Sequence, residues 1–179
     1  DSVYGEEKRK MKCHPHRSPL NLIESISNSC NAYFCNVYRG IIEKYPNTYE
    51  GYDVWRNYVT SFGLGNWLNN DLPTGQKGFV PTANFYDRIY GKNRWKSLTN
   101  LSLSIGQDAL LTTPIQMANM TAAIANRGYY YTPHIIKSIE NDSIDDRFRK
   151  VIRTMIDSSL FETVINGMQK VVEDEELGT

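Results

Sequence analysis

The stretch that most constrains the fold is residues 21–40, NLIESISNSCNAYFCNVYRG. Apolar residues recur at helical spacing in its first and last thirds. Asn21 followed by Glu24 is the pattern of a helix N-cap with its capping-box partner, and Gly40 is a plausible C-terminal stop. Between the apolar runs, residues 27–31 carry four Ser and Asn side chains that compete with a helix for backbone hydrogen bonds. The stretch therefore predicts two helices separated by a polar turn.

The local sequence pattern of the polar turn can be interpreted in two ways. In the first, it is a helix kink followed by a second N-cap, a common arrangement that needs no function. In the second, Ser29-Cys30-Asn31 is a Ser-x-Asn element whose hydroxyl and amide line an active site. The local pattern leaves both open.

The rest of the chain predicts a mainly α fold with little sheet. An aromatic stripe with helical spacing marks a core helix over residues 49–62, and Thr113-Pro114-Ile115-Gln116 is a capping box with proline in the first helical position. Ser159 with Glu162 predicts the start of the last helix. The predicted segments in chain order are a lead-in (1–20) with one short strand near Ser2–Tyr4, helices around the polar turn (21–62), a long irregular segment (63–112), a core helix (113–128), an extended connection (129–156) and a final amphipathic helix (157–173).

Charge and hydropathy exclude two classes of function. The chain of 179 residues has 20 basic and 20 acidic residues, whereas binding to nucleic acid through phosphates needs a basic excess. No run of apolar residues approaches the length of a membrane span. We therefore expect a globular domain with no nucleic-acid partner.

The three cysteines, Cys13, Cys30 and Cys35, allow several states. Free, partly buried thiols are the default. Cys13 and Cys30 could form a disulfide in an oxidising compartment. The pattern Cys13-His14-Pro15-His16 followed by Cys30 and Cys35 could also hold zinc, with Cys13, His14 and Cys30 as ligands, although the spacing is poor for paired ligands. We predict no metal and no cofactor.

Four motifs occur in a fixed order along the chain. They are Leu20-Asn21-Leu22 leading to Ser29-Cys30-Asn31-Ala32-Tyr33-Phe34, then Phe62-Gly63-Leu64-Gly65, then Leu72-Pro73 with Gly78 and Pro81, and finally Ser104-Ile105-Gly106-Gln107 followed by Thr113-Pro114-Ile115-Gln116. In order and spacing this set resembles the transpeptidase domain of class B penicillin-binding proteins, of the monofunctional elongation type known as penicillin-binding protein 2. The resemblance runs from about residue 13 to residue 179.

The resemblance implies a fold, a reaction and a site. The fold would be a helical lobe of the α/β transpeptidase architecture shared with serine β-lactamases. In the family, the serine of a Ser-x-x-Lys motif attacks the D-Ala–D-Ala bond of a peptidoglycan stem peptide, and β-lactams acylate the same serine. The family's Ser-x-Asn motif maps onto Ser29 and Asn31, which would be the catalytic residues of this chain.

The resemblance also implies partners and a location. The partners would be stem peptides, β-lactam antibiotics and other cell-wall elongation proteins. The location would be the periplasmic side of the bacterial cytoplasmic membrane, with the parent protein anchored by an N-terminal segment.

The chain departs from the family pattern at several positions. It contains no Ser-x-x-Lys and no Lys-Ser/Thr-Gly, so we expect a fragment that forms no acyl-enzyme by itself. Because a fragment of a larger domain leaves an apolar face uncovered, we also expect it to self-associate. Asp108 stands where the family usually has glycine, and Gln76 where glutamate is common. Two other functions stay open: a β-lactamase or β-lactam sensor, and a noncatalytic helical interaction module.

Overall fold

Within residues 2–4 and 9–173, the part of the chain that this computed structural model describes, helices predominate over strands. The mainly α prediction is confirmed. In chain order, the elements are β1 (Ser2–Tyr4), β2 (Arg9–Met11), α1 (Leu22–Ser27), α2 (Asn31–Glu43), α3 (Thr48–Thr60), α4 (Ala83–Tyr90), α5 (Pro114–Ala125), β3 (Tyr129–Tyr130), β4 (Ile152–Arg153) and α6 (Phe161–Glu173). The strands form two separate antiparallel pairs, β1 with β2 and β3 with β4. None of the described helices is both long and apolar enough to cross a bilayer.

The predicted pair of helices separated by a polar turn is confirmed as α1 and α2. Asn21 Oδ1 accepts from the Glu24 amide at 2.9 Å, and Glu24 Oε2 accepts from the Asn21 amide at 3.0 Å, which is the predicted capping box. Gly40, a plausible stop from the sequence, does not end the helix, because α2 continues to Glu43. Ile42 lies beyond Gly40 and is fully buried, so packing of the last turn outweighs the low helix propensity of one glycine.

An aromatic cluster forms the core between α2, α3 and α4. Tyr52 is completely buried and its ring meets those of Tyr86 and Trp95 edge to face, with centroids 5.6 and 5.4 Å away. Tyr38 meets Trp55 in the same way at 5.1 Å. Edge-to-face geometry suits the ring quadrupoles and adds to the stabilisation from buried area. The aromatic stripe predicted for residues 49–62 is therefore a core face.

The predicted long irregular segment, residues 63–112, contains a helix that the sequence analysis missed. Helix α4 starts after Thr82, whose hydroxyl accepts from the Phe85 amide, and it buries Ala83 and Tyr86. A 3₁₀ helix follows over Leu101–Ile105. The glycines and prolines on both sides hid an eight-residue helix that gains its stability from burying aromatic rings.

The N-terminal capping box of α5 is confirmed, with Gln116 Oε1 accepting from the Thr113 amide. The same side chain has a second role that the sequence did not predict. Gln116 is buried, and its Nε2 donates to the carbonyls of Gly63, Asn66 and Lys77 at 2.8–3.1 Å. One amide thus fastens the start of α5 to the loop over residues 63–77.

Helix α6 packs on α1. Gly167 allows the close approach, because a Cβ built there would lie 2.8 Å from the Ile26 side chain. The predicted start of this helix at Ser159 is wrong: Asp157 accepts from the Ser159 amide and opens a 3₁₀ turn, and α6 begins at Phe161. Part of the predicted apolar face is exposed, since Val172 keeps 86% of its accessible surface.

Candidate active site

The turn between α1 and α2 places Ser29 at the surface. Ser29 has a φ of +48°, a left-handed conformation that is uncommon outside glycine. Backbone bonds hold it there: the Ser29 amide donates to Ile26 O at 3.1 Å and the Cys30 amide to Ser25 O at 2.9 Å. The left-handed conformation is therefore confined to one residue between the two helices, and that residue is exposed to solvent.

The neighbouring polar residues of the turn are structural. Ser25, Ser27 and Asn28 are buried, and all three bond back to carbonyls of α1 and its N-cap: Ser25 Oγ to Asn21 O, and Ser27 Oγ and Asn28 Nδ2 to Glu24 O. Buried polar groups need such partners. Local hydrogen bonding thus explains Ser27 and Asn28 of the polar break, which leaves Ser29 as its exposed hydroxyl-bearing residue.

Asn31 is the first residue of α2 and is half-buried. Its Nδ2 donates to the backbone carbonyl of Lys12 at 3.1 Å. The structure therefore brings Ser29 and Asn31 together on either side of Cys30, at the N-terminus of a 13-residue helix. An amide side chain can donate and accept at once, so Asn31 retains its Oδ1 as an acceptor.

Two thiols lie beside this element. Cys30 is the N-cap of α2 and accepts from the Tyr33 amide at 3.4 Å, while Cys13 Sγ accepts from the Ala32 amide at 3.1 Å. The two sulfurs are 3.7 Å apart and both thiols are free. Burial raises the pKa of Cys30. Burial acts the same way on Cys13, but the hydrogen bond from the Ala32 amide and the nearby His16 outweigh it and hold its pKa below the usual range.

His16 completes a set of possible metal ligands. The ligand atoms of Cys13, His16 and Cys30 all lie within 4.8 Å of one another, and His16 Nε2 is buried with no hydrogen-bond partner. Two sulfurs and one imidazole nitrogen are three of the four donors of a structural zinc site. His14, the ligand considered from sequence, is not part of this set. His16 belongs to the sequence pattern Cys13-His14-Pro15-His16 and lies three positions after Cys13.

Two polar contacts join α2 to the segment that carries Gly106-Gln107. Cys35 Sγ lies 3.1 Å from Ser104 Oγ, and the Tyr38 hydroxyl donates to Asn100 Oδ1 at 2.9 Å. The paired residues are more than 60 positions apart in sequence, so helix α2 and this segment meet only through folding.

Comparisons with known proteins show which family the chain is similar to. Residues 2–178 match the family model described as penicillin binding protein transpeptidase domain. The chain is 30% identical over 119 residues to peptidoglycan D,D-transpeptidase MrdA of Acinetobacter baumannii, covering 66% of this chain and 16% of that protein. The crystal structure of Pseudomonas aeruginosa PBP2 in complex with WCK 5153 superimposes with a TM-score of 0.69 at 27% identity, covering 86% of this chain and 32% of that one. PBP2 from Helicobacter pylori superimposes with a TM-score of 0.74 at 23% identity, covering 98% and 30%.

The chain therefore belongs to the penicillin-binding protein transpeptidase family, of which it carries part of the domain. Its relatives are of the PBP2 and MrdA type. The chain spans between about one sixth and one third of the length of these relatives.

Proposed function

We propose that this chain is the Ser-x-Asn lobe of a peptidoglycan D,D-transpeptidase, which cross-links stem peptides through a serine acyl-enzyme and is acylated by β-lactams. The observation that carries the proposal is the left-handed turn at Ser29, which presents an exposed serine two positions before Asn31, the first residue of α2. In a chain that belongs to this family, that geometry favours the catalytic interpretation of the polar turn over the N-cap alone.

The two side chains fit distinct tasks. The Ser29 hydroxyl can accept and donate a proton, so it can relay one between a base and the leaving nitrogen of the donor peptide. The Asn31 amide can hold a lysine amine on its oxygen and a substrate carbonyl on its nitrogen. The second task requires Asn31 Nδ2 to exchange the Lys12 carbonyl for the substrate carbonyl. The nucleophilic serine and its lysine would come from a Ser-x-x-Lys that residues 1–179 do not contain.

The proposed setting is the periplasmic side of the bacterial cytoplasmic membrane. This setting is what membership of the transpeptidase family implies. Other cell-wall elongation proteins are the proposed partners of the whole protein.

The test is acylation of the whole protein that carries residues 1–179 by a fluorescent penicillin. Ser29→Ala and Asn31→Ala should each slow acylation by about 10² or more, the usual scale for one proton-transfer or electrostatic partner. Ser143→Ala and Asn57→Ala, which alter exposed residues of the same types elsewhere, should acylate normally. Unchanged acylation in both site variants would refute the assignment, and rapid turnover of the acyl-enzyme would identify a β-lactamase instead.

The 179-residue chain by itself should take no label, because no serine in it precedes a lysine by three residues. We also propose that the isolated chain self-associates through α6, where Met168 and Val172 are 38% and 86% exposed. Sedimentation should show an average mass that rises with concentration and falls in a Met168→Glu, Val172→Glu double variant. A mass that stays monomeric at all concentrations would refute self-association.

A further inference from the structure

Sulfur atoms, rather than the usual side-chain oxygens, satisfy the first turn of α2. The first amides of an α-helix have no carbonyl partner within the helix. Here Cys30 Sγ accepts from the Tyr33 amide at 3.4 Å and Cys13 Sγ accepts from the Ala32 amide at 3.1 Å. Cys30 is the N-cap residue itself, but Cys13 comes from the lead-in, 19 residues away from Ala32 in sequence.

The lead-in contacts the Ser-x-Asn element at two adjacent points. The Lys12 carbonyl accepts from Asn31 Nδ2 at 3.1 Å, and the next residue, Cys13, accepts from the backbone directly after Asn31. One contact sets the direction of the Asn31 side chain, and the other sets the path of the backbone that carries it. Cys13 also touches Cys30, with the two sulfurs 3.7 Å apart.

We propose that Cys13 is a positioning residue for acylation, which acts through the Ala32 amide to fix the first turn of α2 and thereby the place of Asn31. This inference rests on the proposed function for its effect on rate. Backbone hydrogen bonds to α1 hold the left-handed Ser29, which lies just before the first turn of α2. Helix α1 therefore fixes one side of the Ser-x-Asn element, and Cys13 fixes the other.

If Cys13 caps α2, three substitutions should differ in their effect on the first turn of this helix. Cys13→Val keeps similar bulk but offers no acceptor to the Ala32 amide. Cys13→Ser keeps an acceptor, because a hydroxyl oxygen commonly caps helix amides. His14→Ala alters the exposed neighbour and leaves Cys13 in place, which makes it the matched control.

The experiment measures acylation of the whole protein over a range of β-lactam concentrations, to separate initial binding from the limiting acylation rate. Cys13→Val should lower the limiting rate about tenfold, with little change in binding, because misplaced catalytic groups slow the reaction step. Cys13→Ser should recover most of that rate, and His14→Ala should match the wild type. Melting temperatures confirm that each variant is folded, and Cys13→Ala replaces the valine variant if that one does not fold.

Two outcomes would overturn the inference. A Cys13→Val protein that acylates like the wild type would show that the contact positions nothing. A Cys13→Ser protein as impaired as Cys13→Val would show that the site needs sulfur chemistry, such as metal binding, rather than an acceptor. Hydrogen exchange at the Ala32 amide gives an independent readout: it should be faster in Cys13→Val and close to normal in Cys13→Ser. If the wild type takes no β-lactam, the proposed function fails, and the exchange data alone decide whether Cys13 caps α2.

Discussion

The Tyr86 hydroxyl donates to Asp108 Oδ2 at 2.7 Å, which joins a fully buried aromatic residue of α4 to an exposed residue in a left-handed conformation. Asp108 has a φ of +69° and follows Gly106-Gln107, at the position where the family usually has glycine. A left-handed conformation is unfavourable for a residue with a Cβ. The hydrogen bond to Tyr86 offsets part of that strain.

We predict that Asp108→Ala destabilises the chain by about 2 kcal/mol, because the buried Tyr86 hydroxyl then has no acceptor to offset the backbone strain that remains at residue 108. Asp108→Gly should cost about 1 kcal/mol less than Asp108→Ala, because glycine adopts this backbone conformation without strain. Urea denaturation measures both values. In the Tyr86→Phe background the alanine substitution should cost less, and equal costs in both backgrounds would show that the two residues are not coupled.

Two glycines in adjacent helices should respond to alanine in opposite directions. At Gly51 of α3, an added Cβ would lie 2.8 Å from Ile42 Cα and closer still to the Ile42 carbonyl oxygen, so the backbones of α2 and α3 would have to separate. At Gly40 of α2 nothing lies within 4 Å of the added atom. We predict a loss of about 3 kcal/mol for Gly51→Ala and a gain of about 0.5–1 kcal/mol for Gly40→Ala. Thermal denaturation of both variants measures these changes, and a stable Gly51→Ala would contradict the close packing.

Replacing Gln116 by glutamate should destabilise the fold more than replacing it by methionine. Its Nε2 donates to three carbonyl oxygens, so Gln116→Glu places a buried negative charge against three acceptors. We predict that Gln116→Glu costs about 3–5 kcal/mol at pH 7, whereas Gln116→Met, similar in volume, costs about 1–3 kcal/mol. The difference should narrow as the pH falls towards about 4 and the carboxyl group gains a proton. A constant difference across that range would show that charge is not the cause.

The buried tyrosines should make the fold sensitive to alkaline pH. Burial raises the pKa of Tyr38, Tyr52 and Tyr86 above the ordinary value of 10.0. Between pH 10 and these raised values the unfolded chain loses protons that the folded chain keeps, so stability falls as pH rises. Below pH 10 this contribution to stability is fully present. The expected slope is about 1.4 kcal/mol per pH unit for each such tyrosine.

Urea midpoints measured between pH 8 and 11 test this prediction. Tyr38→Phe should show a shallower decline above pH 10 than the wild type, although it starts from lower stability. Tyr58→Phe, which alters an exposed tyrosine, is the control and should follow the wild-type slope. Parallel declines in all three proteins would assign the effect to other groups.

The sequence by itself determined the features that depend on neighbours within four residues. The capping boxes of Asn21 with Glu24 and Thr113 with Gln116, the break between α1 and α2, and the mainly α character all follow from such local interactions. The ordered motifs also identified the family, which the comparisons then showed. Ser29 and Asn31 are two positions apart, so the sequence could propose them together as a site.

Tertiary structure decided which residues meet across long separations. Helix α4 is not evident from the sequence, because its helical conformation depends on burying Tyr86 against Tyr52, 34 positions away. The pattern of residues 13–16 left both histidines as candidate ligands, and only folding brings His16 rather than His14 next to Cys13 and Cys30. The three carbonyl partners of Gln116 and the contact of Cys13 with the Ala32 amide are likewise long-range. No local propensity encodes such contacts, because they form only when the loss of chain entropy on closing a long loop is offset by packing of the whole core.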